Sequence, residues 1–128
     1  MKRRATGAAG DAGGAAGGGA LVTIDVAHPP MSSDDAERAL DEALRSAELS
    51  GSARVIRVIH GYGSGGKGGT LKTTVRNWAY RRRGRIRMVI PGEEYSPLGS
   101  PVGRALQEAG ISLQEVGPSD PGVTILVI

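Results

Sequence analysis

The 128-residue chain has no cysteine, no phenylalanine and a single tryptophan. Without cysteine there is no disulfide framework, no thiolate metal site and no thiol nucleophile, which agrees with a reducing compartment such as the cytoplasm. Without phenylalanine the core has to be aliphatic, drawn from Val, Ile, Leu and Ala. Two histidines are too few for a histidine-rich metal centre. Long apolar runs are missing too, so no bilayer span and no membrane partner is expected. The start at Lys2, Arg3 and Arg4 is not followed by a stretch of Leu, Ile or Val, which argues against a secretory signal.

Acid is absent from one interval. Between Glu48 and Glu93 no Asp or Glu occurs, while ten basic residues do: Arg54, Arg57, Lys67, Lys72, Arg76, Arg81, Arg82, Arg83, Arg85 and Arg87. The rest of the chain carries six basic and thirteen acidic residues. Such segregation reads as a basic face for a polyanion, most simply nucleic acid, DNA or RNA. A solvated surface stripe is the plainer alternative.

What is present divides at residue 20. Residues 1–20 are Ala/Gly low complexity and offer too little apolar surface to offset chain entropy, so a disordered tail is expected. Residues 21–128 are long enough for one domain with one core. Val22, Ile24 and Val26 alternate with Thr23, Asp25 and Ala27 in a first strand over 21–28, closed by Pro29-Pro30. A helix follows over about 34–50. Asp34 and Glu37 resemble a capping box, Gly51 is the stop, and Asp34–Arg38 and Asp41–Arg45 are spaced as i,i+4 pairs. Val55, Ile56, Val58 and Ile59 make a buried strand.

After that strand comes His60 and then a glycine-rich loop. A helix is expected from Thr70 to about residue 82, with Leu71, Val75, Trp78 and Ala79 inward. Ile86, Met88 and Ile90 alternate in a further strand. A short helix starts at Ser100-Pro101, residues 111–116 form a weak edge segment, and 123–128 form the last strand. The order β-α-β-α-β-α-β gives an α/β fold, a two-layer sandwich with a central mixed β-sheet and packed helices.

The loop carries the chemistry. Glycines between a strand and a helix let backbone N–H groups approach an oxyanion, and the helix N-terminus favours negative charge. A phosphate is therefore expected at Gly61, Tyr62, Gly63, Ser64, Gly65, Gly66, Lys67, Gly68 and Gly69. Gly61-x-Gly63-x-x-Gly66 matches the dinucleotide fingerprint, but the acidic ribose partner is missing. Gly61-x₄-Gly66-Lys67 begins a Walker A loop, yet Gly68 stands where Ser or Thr should hold magnesium.

His60-Gly61-Tyr62-Gly63, followed by Gly69-Thr70-Leu71-Lys72, resembles the His-Gly-x-Gly…Leu-Arg/Lys signature of the Smr (small MutS-related) domain. Ile24-Asp25-Val26 resembles that family's first-strand Leu-Asp-Leu-His-Gly motif, and Gly122-Val123-Thr124-Ile125 its closing strand. The resemblance spans residues 21–128. It implies a compact α/β sandwich that binds nucleic acid and, in some members, cuts DNA or RNA as an endonuclease. Two departures stand out: the motif's histidine falls on Ala27, with His28 one residue late, and residues 91–117 look like an added segment.

Phosphodiester cleavage needs a proton-transfer group near neutral pKa and cations or N–H donors at the phosphorane. His60 fits the first role, Asp25 would orient His60 or a water, and Lys67 supplies charge; Mg²⁺ is the cofactor such chemistry admits. For His60 the alternative is a hydrogen bond that holds the loop. Lys72, Arg76, Arg81, Arg82 and Arg83 extend the expected nucleic-acid surface, and Tyr62 would stack on an unpaired base. A non-catalytic module for branched or single-stranded DNA or ribosomal RNA is the alternative function.

Overall fold

The β-branched run forms β2 (Val55–Ile59), and its alternation divides the core in two. The computed structural model describes residues 20–61, 67–94, 101–111 and 113–128, with backbone alone for 67–68, 101–102 and 113–114. Apart from Ala20, the expected tail lies outside the described residues.

β1 (Leu21–Asp25) runs parallel to β2, with Leu21 opposite Val55 and Asp25 opposite Ile59. On the other side of β2 lies β4 (Val123–Val127), antiparallel, and β3 (Met88–Pro91) pairs antiparallel with β4 at the edge. The mixed four-stranded sheet therefore has the order β1-β2-β4-β3.

Ile56, Val58 and Leu126 face α1 (Ser33–Ser50) and α2 (Lys67–Arg81), where Leu40, Leu44, Leu71, Val75 and Trp78 complete a buried aliphatic layer. Truncating one of these leucines to Ala would cost about 2–5 kcal/mol. Val55, Ile125 and Val127 point the other way, onto Leu106 of α3 (Pro101–Glu108), Ile111, and Val116 of α4 (Leu113–Val116). The sheet with α1 and α2 makes the two principal layers, and α3 and α4 close its second face.

Several local expectations change. The first strand stops at Asp25, because residues 26–30 bend back through an isolated Ala27–Pro30 bridge. The cap of α1 is Ser32, whose Oγ accepts the Asp35 N–H at 3.1 Å, rather than an Asp34–Glu37 box. Gly51 does end α1, at φ +71° with its N–H on the Ala47 carbonyl. α2 begins at Lys67, three residues earlier than the apolar stripe implied, so Gly68 and Gly69 belong to its first turn. β3 is shorter than the 85–90 alternation implied. Ile86 packs on the α1–α2 side while Met88 and Ile90 pack on the other, so the alternation breaks before Met88. Residues 113–116 are helical rather than an edge strand, held by Arg57, whose guanidinium donates to the Glu115 and Val116 carbonyls.

Candidate nucleic-acid interface

The parallel strands β1 and β2 end where antiparallel β4 begins, and β3 delivers a single 3₁₀ turn, Gly92–Glu94, to the same end of the sheet. His60 follows β2 and continues the face of Ile56 and Val58, so its ring turns towards α2. It is fully buried. Its Nδ1 lies 3.1 Å from the Gly61 carbonyl oxygen, which can only accept, so Nδ1 carries the proton and donates. Burial pushes the imidazole below its ordinary range; the Arg76 and Lys72 cations push the same way, against the Gly61 bond and Glu93. A neutral ring protonated at Nδ1 accepts at Nε2, and Thr124 Oγ1 is 2.8 Å away to donate.

The chain of hydrogen bonds continues outward. Thr124 Oγ1 accepts from Arg76 Nε at 3.0 Å. The two terminal nitrogens of Arg76 fork onto Glu93, at 3.1 and 2.7 Å, and Lys72 Nζ stands 3.6 Å from the same carboxylate. Hydrogen bonding from Arg76 is the main reason that Glu93 titrates at about 2; burial opposes it, and the Glu93 backbone N–H and the cations assist. Direction is fixed along the whole relay: Arg76 donates to Thr124, Thr124 to His60, and His60 to Gly61.

The anion loop needs a correction at its first residue. The N–H groups of His60 and Gly61 both donate to the Gly122 carbonyl, at 2.9 and 3.0 Å. The Gly61 amide is thus used inside the fold and is not presented to a phosphate. Gly61 has φ +82°, the left-handed region that glycine tolerates. Tyr62, Gly63, Ser64, Gly65 and Gly66 lie outside the described residues, while Lys67, Gly68 and Gly69 form the opening of α2.

Asp25 is not beside His60. The pleat of β1 turns it away from the face that holds Val26 and His60. Its Oδ1 accepts the N–H groups of Ala27 and His28, at 2.8 and 3.1 Å, an Asx-type turn. That turn brings the His28 ring back, with Nδ1 2.9 Å from Oδ2. The bend therefore restores an Asp–His pair that strand periodicity alone would place on opposite faces. His28 is 70% exposed. Asp-x-x-His before a prolyl pair was the available signal, since a carboxylate in that position bonds its own backbone two and three residues on. Asp25 holds the His28 imidazole, and Glu93 holds Arg76 and Lys72. Among the described residues no group of three or more His, Asp or Glu side chains is arranged to hold a metal ion.

The basic run at the other end of α2 meets the acids of α1. Arg81 pairs with Glu37 at 2.8 Å, Arg82 with Asp41 at 2.7 Å, and Arg85 with Glu48 at 2.6 Å. Arg82 also covers the Trp78 ring at 4.9 Å, while Asp41 accepts the indole N–H at 2.9 Å. Arg83 stacks on Tyr80 at 4.2 Å. Asp41 is therefore engaged between helices and not with Arg45, and Arg38 pairs with Asp35 rather than Asp34. No described helix is long and apolar enough to cross a membrane.

Comparison with known proteins identifies the family. The family profile of the Smr domain matches residues 29–94, just over half of the chain. A solved structure, the Smr domain of Thermus thermophilus MutS2, is 21% identical, covering 84% of this chain and 94% of that one, with a TM-score of 0.49. No curated protein matches. With its glycine loop, the helix behind it and the acid-free interval all inside or beside the matched span, the chain belongs to the Smr domain family, a family of nucleic-acid-binding, nuclease-like modules.

Proposed function

We propose that the domain grips a nucleic-acid backbone at this end of the sheet and cleaves a phosphodiester there, with the Asp25–His28 pair as its proton-transfer group. The observation that carries the reading is the 2.9 Å contact between an exposed imidazole and a carboxylate already oriented by two backbone N–H groups. Asp25 accepts from Nδ1–H, which leaves Nε2 as the basic nitrogen facing solvent. Nε2 takes the proton of the attacking oxygen, a ribose 2′-hydroxyl or a water; that oxygen bonds to phosphorus as the P–O bond to the leaving oxygen breaks. The Asp25 charge steadies the imidazolium that forms. Lys67 and Lys72 supply positive charge for the phosphorane, as the family likeness of the loop implies. His60, sealed and neutral, keeps the loop entrance in shape in this reading.

The test uses purified protein with labelled supercoiled DNA and with structured RNA, each with and without Mg²⁺. His28→Ala should lower cleavage by about 10²–10⁴-fold while binding stays within a few-fold. Parental cutting by His28→Ala would remove the pair from the chemistry. The second reading, a module that binds without cutting, is favoured by one observation: both nitrogens of His60 are engaged inside the fold. It predicts that no preparation cuts either substrate.

A further inference from the structure

Lys72 and Arg76, one turn apart on α2, reach the end of the sheet where β4 begins, with a carboxylate already between them. We propose that Glu93 is a built-in competitor for backbone phosphate. In the free protein its two oxygens hold the place on Arg76 and Lys72 that two phosphodiester oxygens take in the complex. The inference rests on the nucleic-acid reading above and adds to it the regulation of that site.

Three features carry it. The guanidinium fork matches any planar pair of anionic oxygens, carboxylate or phosphate alike. Arg76 is anchored from behind, because its Nε donates to Thr124 at 3.0 Å, so its two terminal nitrogens keep their aim whichever anion they meet. Glu93 is tethered by a fixed backbone but has a free side. A Cβ on the preceding Gly92 would run into the backbone oxygens of Asp120 and Val123, and the Gly92 carbonyl accepts the Asp120 N–H at 3.0 Å. The turn therefore stays in place, while the Glu93 side chain, 37% exposed, has water to rotate into. Because Glu93 is ionised throughout the neutral range, the mask is always charged.

The consequence is quantitative. A phosphate that must displace Glu93 gains one less net positive charge than one that meets Lys72 and Arg76 bare. The salt dependence of binding should therefore be shallower in the parent than in a variant without the carboxylate, by about 0.7–0.9 in log K against log salt, one contact's worth. Glu93→Gln keeps the shape and removes the charge. Titrated with fluorescent single-stranded and duplex DNA and with a structured RNA, it should bind about three- to ten-fold tighter near 0.1 M salt, with the steeper slope. Glu93→Asp, which keeps the charge, should stay with the parent. A Glu93→Gln protein that melts normally and binds equally or more weakly overturns the mask and makes Glu93 a prop for Arg76; should the Gln variant fail to fold, Glu93→Ser reads the same comparison. A parent that binds none of the probes overturns the nucleic-acid reading together with the mask. A parent that binds while Glu93→Gln binds no tighter overturns the mask alone.

Discussion

The middle and the C-terminal end of α2 treat positive charge differently. At its C-terminal end Arg81 and Arg82, with Arg85 just beyond, each have a carboxylate of their own on α1, and Arg82 is clamped between Asp41 and the Trp78 ring. In its middle turns Lys72 and Arg76 share one carboxylate, Glu93, leaving a net positive charge. A run of arginines in sequence is thus largely an inter-helix clasp, whereas two cations one turn apart are the ones left over for an anion. Surface ion pairs contribute little singly, so the clasp matters mainly as a set and through its contact with the indole.

The sharpest test of this contrast is to remove each set in turn. Lys72→Ala with Arg76→Ala should weaken oligonucleotide binding by about 10²-fold, the low end of losing two charge-assisted contacts of roughly 1.5–3 kcal/mol each, because Glu93 no longer has to be displaced. Fluorescence titration at fixed salt measures it. If the affinity hardly moves, the anion site lies elsewhere and the comparison collapses.

Replacing Arg81, Arg82 and Arg83 together by Ala should act mainly on stability. Loss of two helix-to-helix ion pairs and two cation–π contacts should lower unfolding free energy by about 1–3 kcal/mol. Thermal melts would register it, while binding should fall less than in the Lys72/Arg76 double variant. The reverse ranking would restore the arginine run as the main nucleic-acid surface.

The smallest expected effect is a pH dependence that belongs to the side of His60, Thr124 and Arg76. Burial holds the His60 pKa below that of the unfolded chain, so below about 6.5 the unfolded state binds the extra proton and stability drops as pH falls. Above that value the contribution of the neutral, buried ring is fully present. Denaturant unfolding between pH 7.5 and pH 5 should show this decline, and His60→Gln should flatten it over that window. A parent whose stability is level from pH 7.5 to 5 would contradict a sealed, neutral His60.

Much of this was open to reading along the chain. The β-branched run at 55–59, the Leu40/Leu44 stripe, the Gly51 stop and the place of Trp78 in the core all follow from local periodicity, because each depends on which side of one element is apolar. The His60-Gly61-Tyr62-Gly63 motif was equally visible and led to the family, and the acid-free interval pointed to a polyanion partner. The start of α2 is not legible in sequence because Gly68 and Gly69 are poor helix formers. Residues 113–116 were misread because a four-residue helix has too little length to display a period.

The sequence by itself determined which segments could bury an aliphatic face, where the chain had to turn, and that its positive charge is concentrated in one interval. Those are properties of neighbours within a few residues. Only the tertiary structure decided which charges remain over for a partner. Glu37, Asp41 and Glu48 are dozens of residues from the arginines they meet, and Glu93 reaches back to Lys72 and Arg76. It decided the two histidines as well. The antiparallel pairing of β2 with β4 puts Thr124 against His60 and closes it in, while a carboxylate-held bend leaves His28 in water. The physical reason is common to both: an ion pair or a buried ring is settled by what the sheet and helices bring within about 3 Å, and that distance has no counterpart in sequence order.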